Sequence, residues 1–365
     1  MNNSELQKYN SLLVDGYPLM EESLALRMGE WTVGVRSNSN ELLQRLKHYF
    51  RHMLVPVAWE QVSVPLLAIQ RDPVQLDLEF KDWKRDAGKS GRKDACYDIE
   101  AGRLIHKVRT GMLFLQCEQN PVAAGDCLAN DNQVINFINA QFMNWLQQQS
   151  WLICHAAAVE YRGVSIAIAA FSGGGKSTTM LRLMDLPDTR FLTNDRLFIH
   201  RDEARNAVQV AGVPKLPRIN PGTIITNPVL QGILSPEREQ ALLSLPKQAL
   251  WELEEKYDVD VLELYGEGRI EHLADLDCFL ILNWRHESGA MNVRAVDLAQ
   301  RRDLLPAVMK APGPFYQQSD GQFHSDQVQL DQQRYIDALA SAAVFEVSGG
   351  VDFDGLVHWC QQRLG

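Results

Sequence analysis

Residues 164 to 184 read as an apolar strand, a glycine-rich loop and a helix, in that order and without a gap. Val164 to Ala170 (VSIAIAA) is a short apolar run, and Ser177 to Met184 (STTMLRLM) has helical character. Between them, Ala170–Phe171–Ser172–Gly173–Gly174–Gly175–Lys176–Ser177 follows the pattern G-x-x-x-x-G-K-S/T, with Ala170 in place of the first glycine. Glycines allow close backbone approach, so successive N–H groups can converge on one anion. The helix N-terminus that follows adds its partial positive charge. Ser172, Gly173, Gly174, Gly175, Lys176, Ser177 and Thr178 are therefore the expected cradle for nucleotide phosphates. Lys176 is the point charge for the β- and γ-phosphates, and Ser177 is the hydroxyl for Mg²⁺. Such a loop signals nucleotide-phosphate binding, with ATP and Mg²⁺ the expected cofactors, far better than it specifies a reaction, because many chemistries share it.

A loop of this kind works with a carboxylate at a neighbouring strand end. Asp195 is the candidate metal ligand: it lies 19 positions after Lys176, just past the short strand Phe191–Thr193. Two more cations, Lys215 and Arg218, sit in the proline-punctuated stretch 215–222 (KLPRINPG), and Arg269 follows Gly268. Any of the three could neutralise charge on a transferring phosphoryl group.

The rest of the chain sets the frame. Its 365 residues suffice for two domains, and the net charge is −10. That balance excludes a general nucleic-acid binder, which needs clustered Lys and Arg. Met1 to Asn10 lacks a secretory pattern, and the apolar runs are far shorter than the ~20 residues of a membrane span. Six scattered cysteines without a C-x-x-C pair read as reduced core thiols, which fits a cytoplasmic protein with no membrane partner.

Before residue 150, Trp31 to Val35 alternates as a strand and Asn40 to Met53 carries a broad apolar helical face. Leu67 to Leu115 is mostly strand-like, interrupted by the basic, glycine-containing stretch 81–93, and Asn132 to Gln149 is an amphipathic helix. After it come two short strands, Trp151–Glu160 and Val164–Ala170, around a turn at Tyr161–Gly163. A buried strand is expected at Cys278–Trp284. The expected organisation is an α+β domain over 1–150, a candidate for substrate recognition, and a nucleotide-binding catalytic domain over 151–365.

His155 to Ser177 (HAAAVEYRGVSIAIAAFSGGGKS) resembles the core of HPr kinase/phosphorylase and its relatives. The family carries a His some fifteen positions before its loop, then an acid, then G-x-S-G-x-G-K-S; here His155 stands fifteen positions before Ala170, Glu160 takes the acid position and Ser172 is the loop serine. Pro214–Lys215 and Leu264–Tyr265–Gly266–Glu267–Gly268 resemble later family stretches. The resemblance covers about a third of the chain, from Cys154 to Trp284, and is nearest to the HPr-kinase-related kinase B group. It implies an α/β fold with a mixed-sheet P-loop core like that of HPr kinase and phosphoenolpyruvate carboxykinase. It also implies ATP-dependent transfer to a protein serine, and a homo-oligomer.

The chain departs from the family at two places. Asn194–Asp195 replaces an Asp-Asp pair, and no Glu-x-Arg stands in the stretch directly before the glycine signature, where Lys256 is the basic residue. With one acid of the pair lost, the proton acceptor is His155, Glu160 or Asp195. The catalytic set expected from sequence is thus His155, Glu160, Lys176, Asp195 and Arg218. A nucleotide-binding sensor with little catalysis and a small-molecule kinase are the competing readings.

Overall fold

The computed structural model describes residues 4–84, 91–171, 173–213, 215–246, 249–250, 253, 255–285 and 289–364. Ser172, Pro214 and residues 85–90 of the basic stretch lie outside the described residues. The chain forms two compact units: Met1–Ser150 with Ala311–Gln329, and Trp151–Lys310 with Leu330–Gly365.

The first unit is built on an eight-stranded sheet. Its strands are β1 (Ser23–Met28), β2 (Trp31–Ser37), β3 (Val64–Gln70), β4 (Lys81–Asp82), β5 (Asp94–Ile99), β6 (Gly102–Lys107), β7 (Leu113–Cys117) and β8 (Val122–Gly125). They lie in the order β1-β2-β3-β8-β7-β6-β5-β4. β3 runs parallel to β2 and to β8, and the other pairs are antiparallel. Three helices accompany the sheet: α1 (Ser4–Val14), α2 (Asn40–Tyr49) and α3 (Asp131–Gln148). The apolar face expected of α2 is the one buried, through Leu42, Leu43 and Leu46, and Ser39 caps its start. α1 carried no expectation from the sequence; it buries Tyr9 and Leu13 against Ile69, Leu104 and Leu115.

The sequence placed 311–329 in the second domain, but the structure groups this stretch with the first. The side-chain amide of Asn144 donates to the Phe315 carbonyl at 2.9 Å, and Phe315 packs edge-on to Phe114. Arg103 donates to the carbonyls of Pro314 and His324. These pairings join positions more than 170 residues apart, so no local pattern announces them.

The second unit is mixed α/β. Its strands are β9 (Leu152–Cys154), β10 (Ala156–Tyr161), β11 (Val164–Ala170), β12 (Thr189–Thr193), β13 (Leu197–Asp202), β14 (Ala207–Gly212), β17 (Leu273–Leu282), β18 (Asn292–Ala295) and β19 (Ala343–Ser348). A short ribbon, β15 (Arg218–Ile219) with β16 (Tyr257–Asp258), stands apart. The main path runs β12-β10-β11-β17-β14-β13-β9, with β19 beside β17 and β18 beside β19. β17 is parallel to β11 and β19, while β10 is antiparallel to both β11 and β12. β11 and the second half of β17, Cys278–Leu282, are buried and predominantly apolar, as sheet centres are. Helix α4 (Lys176–Met184) follows β11 and packs on β10 and β11.

Among the described residues no helix is long and apolar enough to cross a membrane. All six cysteines are free and buried.

Candidate functional site

Strand direction decides which residues meet. β10 opposes both neighbours, so its first residues lie beside the last residues of β11 and β12: Ala156 pairs with Ala169, and Ala158 with Thr193. His155 precedes β10, Asp195 follows β12 and Lys176 follows the loop after β11. The topology therefore delivers all three to the same end of these neighbouring strands.

The loop is a tight glycine turn packed from behind. Gly175 caps α4 in the left-handed region at φ 83°, and a Cβ there would lie 2.7 Å from the Phe353 ring. A Cβ on Gly174 would meet both the Ala170 Cβ and the Phe171 carbonyl at 2.9 Å. The turn is closed by Gly174 N–H donating to the Phe171 carbonyl, and its back is braced by Trp284 Nε1, which donates to the Gly174 carbonyl at 2.9 Å. Trp284 in turn packs edge-to-face on Phe353, with ring centroids 5.1 Å apart. A cavity of about 550 Å³ opens beside the loop, lined by Phe171, the three glycines, Asn283, Trp284, Arg285 and Phe353.

Lys176 is the first residue of α4, and its side chain is only 11% exposed. Its ammonium donates to the Asn194 carbonyl and stands 3.6 Å from Asp195 Oδ1. Burial pulls its pKa down, and the Asp195 charge partly restores it. Asp195 Oδ1 also receives His155 Nε2 at 3.1 Å, while Oδ2 faces Arg196 at 3.2 Å. Burial acts to raise the Asp195 pKa, but the His155 hydrogen bond and the charges of Arg196 and Lys176 outweigh it. The carboxyl is held well below the usual range and stays ionised. It is nevertheless 44% exposed, so its outer side is open to a ligand.

The remaining sequence candidates divide. Ser177 is half-buried in the first turn of α4. Thr178 shares a 2.8 Å hydroxyl hydrogen bond with Thr223, which ties the helix to α5 (Pro221–Ile225). Lys215 is half-buried near Asp195 and Arg196; burial lowers its pKa and the Asp195 charge opposes this.

Three expectations need correcting. Glu160 is not at the loop: it pairs with Ser165 at the opposite end of β10, and five residues of extended chain separate it from His155 by roughly 17 Å. Its carboxylate is bound there by Arg190. Arg218 is ion-paired to Asp258 at 2.7 Å across the β15–β16 ribbon, with both side chains largely exposed. Arg269 caps the far end of α4 by donating to the carbonyls of Met184, Leu186 and Thr189. Those acceptors are the orphan carbonyls of a helix end and the turn after it, which a guanidinium can satisfy together.

Two groups at the site were not read from the sequence as functional. Arg196 adjoins the strand-end acid, a signal that could have been used. Lys310 lies near enough for its charge to bear on Lys176, although 134 positions separate them in sequence and no motif connects them.

No family model matches the chain, and no curated protein sequence matches it. Among solved structures it is similar to the Hpr(Ser) kinase/phosphatase from Coxiella burnetii. Identity is 9%, 58% of this chain and 87% of that chain are covered, and the TM-score is 0.29.

Proposed function

We propose that the chain is an ATP-dependent phosphotransferase that moves the terminal phosphoryl group to a hydroxyl. The observation that carries this reading is the convergence of Lys176, Asp195 and His155 beside a glycine loop at a helix N-terminus. Loop amides and Lys176 would hold the β- and γ-phosphates and stabilise charge on the bridging oxygen as it leaves. His155 places Nε2 on Asp195, which leaves Nδ1 as the acceptor for the attacking hydroxyl's proton. The hydroxyl oxygen forms a bond to the γ-phosphorus as the bond to the β–γ bridging oxygen breaks. That electron pair leaves with ADP, and the hydroxyl proton goes to His155.

The donors present fit Mg²⁺: a serine hydroxyl, Ser177, and an ionised carboxylate, Asp195, are hard oxygen ligands. Among the described residues no group of three or more His, Cys, Asp or Glu could hold a metal unaided, which suits an ion that arrives with the phosphates. Mg²⁺ would supply charge neutralisation on the β- and γ-oxygens when bound.

The finer reading, a kinase of the HPr-kinase-related B group acting on a protein serine, is supported by the motif resemblance of 155–177. A nucleotide-binding sensor is favoured by one observation: Asn194 stands where a second acid would serve, and its side-chain oxygen is buried without a hydrogen-bond partner. Calorimetry with ATP and Mg²⁺, followed by transfer of γ-label into fractionated lysate, separates the two. Transfer that disappears in Lys176→Ala supports the kinase. Tight binding with no transfer supports the sensor, and absence of nucleotide binding overturns both.

A further inference from the structure

The cavity beside the glycine loop has walls of two kinds. The three loop glycines form one part, and Phe171, Trp284, Val351 and Phe353 supply most of the rest. Asn283 and Arg285 are its polar side chains. Among the described residues its lining includes no carboxylate and none of His155, Lys176 and Asp195. The cavity thus shares the loop but not the cluster where transfer would occur. An attacking hydroxyl has to reach that cluster, so the cavity is not the acceptor's site. Its volume of about 550 Å³ falls within the ~300–1,000 Å³ of small-molecule sites.

These walls suit a flat, uncharged ring. Phe171 is 39% exposed, so its ring can meet a ligand face. The opposite case is Trp284, which is fixed by its bond to the Gly174 carbonyl and by its edge-to-face contact with Phe353. One side of the cavity is therefore pre-formed. Asn283 gives it a polar group of known sense. Its amide nitrogen donates to Glu346 Oε1 at 2.8 Å, and Glu346 is held ionised, chiefly by Arg301. A carboxylate only accepts, so the nitrogen faces Glu346 and Oδ1 is left as an acceptor. One accepting oxygen at position 346 is enough to keep the amide in that sense. We infer that the cavity is the nucleobase subsite and takes adenine, with Phe171 against the ring and Asn283 Oδ1 accepting from the exocyclic amine. The inference rests on the reading that the loop binds nucleotide phosphates, and it holds for a transferase and for a sensor alike. Phosphates at Lys176 leave the other end of the nucleotide to run past the glycines, which both regions share. Arg285, exposed and planar, can cover the outer face of the ring.

The test measures binding of ATP, ITP and inorganic tripolyphosphate, each with Mg²⁺, by calorimetry. Tripolyphosphate fills the loop but carries no nucleobase, and ITP has a carbonyl oxygen in place of the amine. ATP should bind about tenfold more tightly than ITP, whose oxygen would face that of Asn283. Phe171→Ala removes the ring and keeps the backbone carbonyl that closes the loop turn. It should weaken ATP about tenfold and tripolyphosphate less than about twofold. Val351→Trp fills the cavity and should act in the same way. It also serves if Phe171→Ala disturbs the fold, which melting curves reveal. Equal affinity for ATP and ITP, unchanged ATP affinity in both variants, or parallel losses of ATP and tripolyphosphate overturn the subsite and leave the phosphate loop standing. Should neither ATP nor tripolyphosphate bind the wild type, the nucleotide reading falls and the subsite with it.

Discussion

Two carboxylates of the second unit are each surrounded by cations, and they make opposite use of them. Glu346 lies on β19 with its side chain 4% exposed. Arg301 donates to both of its oxygens, Arg294 to one, and the Asn283 amide to the other. Arg301 also pairs with Asp303, so its charge is matched on both sides. Asp195 meets His155, Lys176 and Arg196, yet it is 44% exposed and outnumbered. A balanced, covered cluster fastens strands together. An open, unbalanced one is the arrangement expected where a bound ligand completes the charge balance.

If that contrast is right, the largest effect belongs to the open cluster. Lys176→Ala should lower phosphoryl transfer by about 10²–10³-fold, measured in single turnover. It should leave the melting temperature nearly unchanged, because it removes a cation that burial already disfavours. A large loss of stability with it would place Lys176 in the same class as the partners of Glu346.

Next comes the loop that aims the open cluster. Gly175→Ala puts a Cβ at φ 83° and 2.7 Å from the Phe353 ring. The expected cost is about 1–3 kcal/mol, read by urea denaturation, with weaker nucleotide binding. Gly163→Ala has a similar φ of 83° and nothing within 4 Å, so it isolates the backbone part of that cost. Equal losses in the two variants would show that Phe353 yields and that the loop is not braced from behind.

The covered cluster should respond in stability alone. Glu346→Gln should cost about 2 kcal/mol at neutral pH and change nucleotide affinity less than about twofold. Hydrogen bonding from Arg301, with help from Asn283 and Arg294, outweighs burial and holds the Glu346 pKa down to about 2 from its ordinary 4.5. A lowered folded-state value gives stability that is full above 4.5, declines below it and is lost as pH falls through about 2. The difference in unfolding free energy between wild type and variant should therefore shrink over that interval. A constant difference would mean that the carboxylate's charge is not what binds the strands.

How much of this was legible in the sequence depended on the reach of each signal. The strand, loop and helix at 164–184 are contiguous, and their periodicity and glycines declared them. Asp195 could be named because it stands just past a short strand, and His155 because its spacing before the loop resembles that of a known family. Glu160 was misplaced because residue spacing in a motif does not say at which end of a strand a residue falls, and the strand's extent and direction do. Arg218 and Arg269 were read as free cations because charge alone cannot show that Asp258 or a helix end already holds them. Lys310 and the stretch 311–329 depend on pairings across more than a hundred residues, which no local pattern encodes.

The smallest expected effect sharpens that last point. Arg218 looks in sequence like a catalytic cation, one turn of chain from Lys215. In the structure its guanidinium is 41% exposed and its partner Asp258 is 68% exposed. An ion pair so open to water contributes about 0–1 kcal/mol, and its charge is screened from anything beyond about 10 Å. Arg218→Ala should therefore change transfer less than about twofold, while Lys215→Ala, three positions earlier, half-buried and near Asp195, should lower transfer about tenfold. A loss in Arg218→Ala as large as in Lys215→Ala would show that the ribbon releases its arginine to the site. Exposure would then be the wrong criterion for telling the two kinds of cation apart.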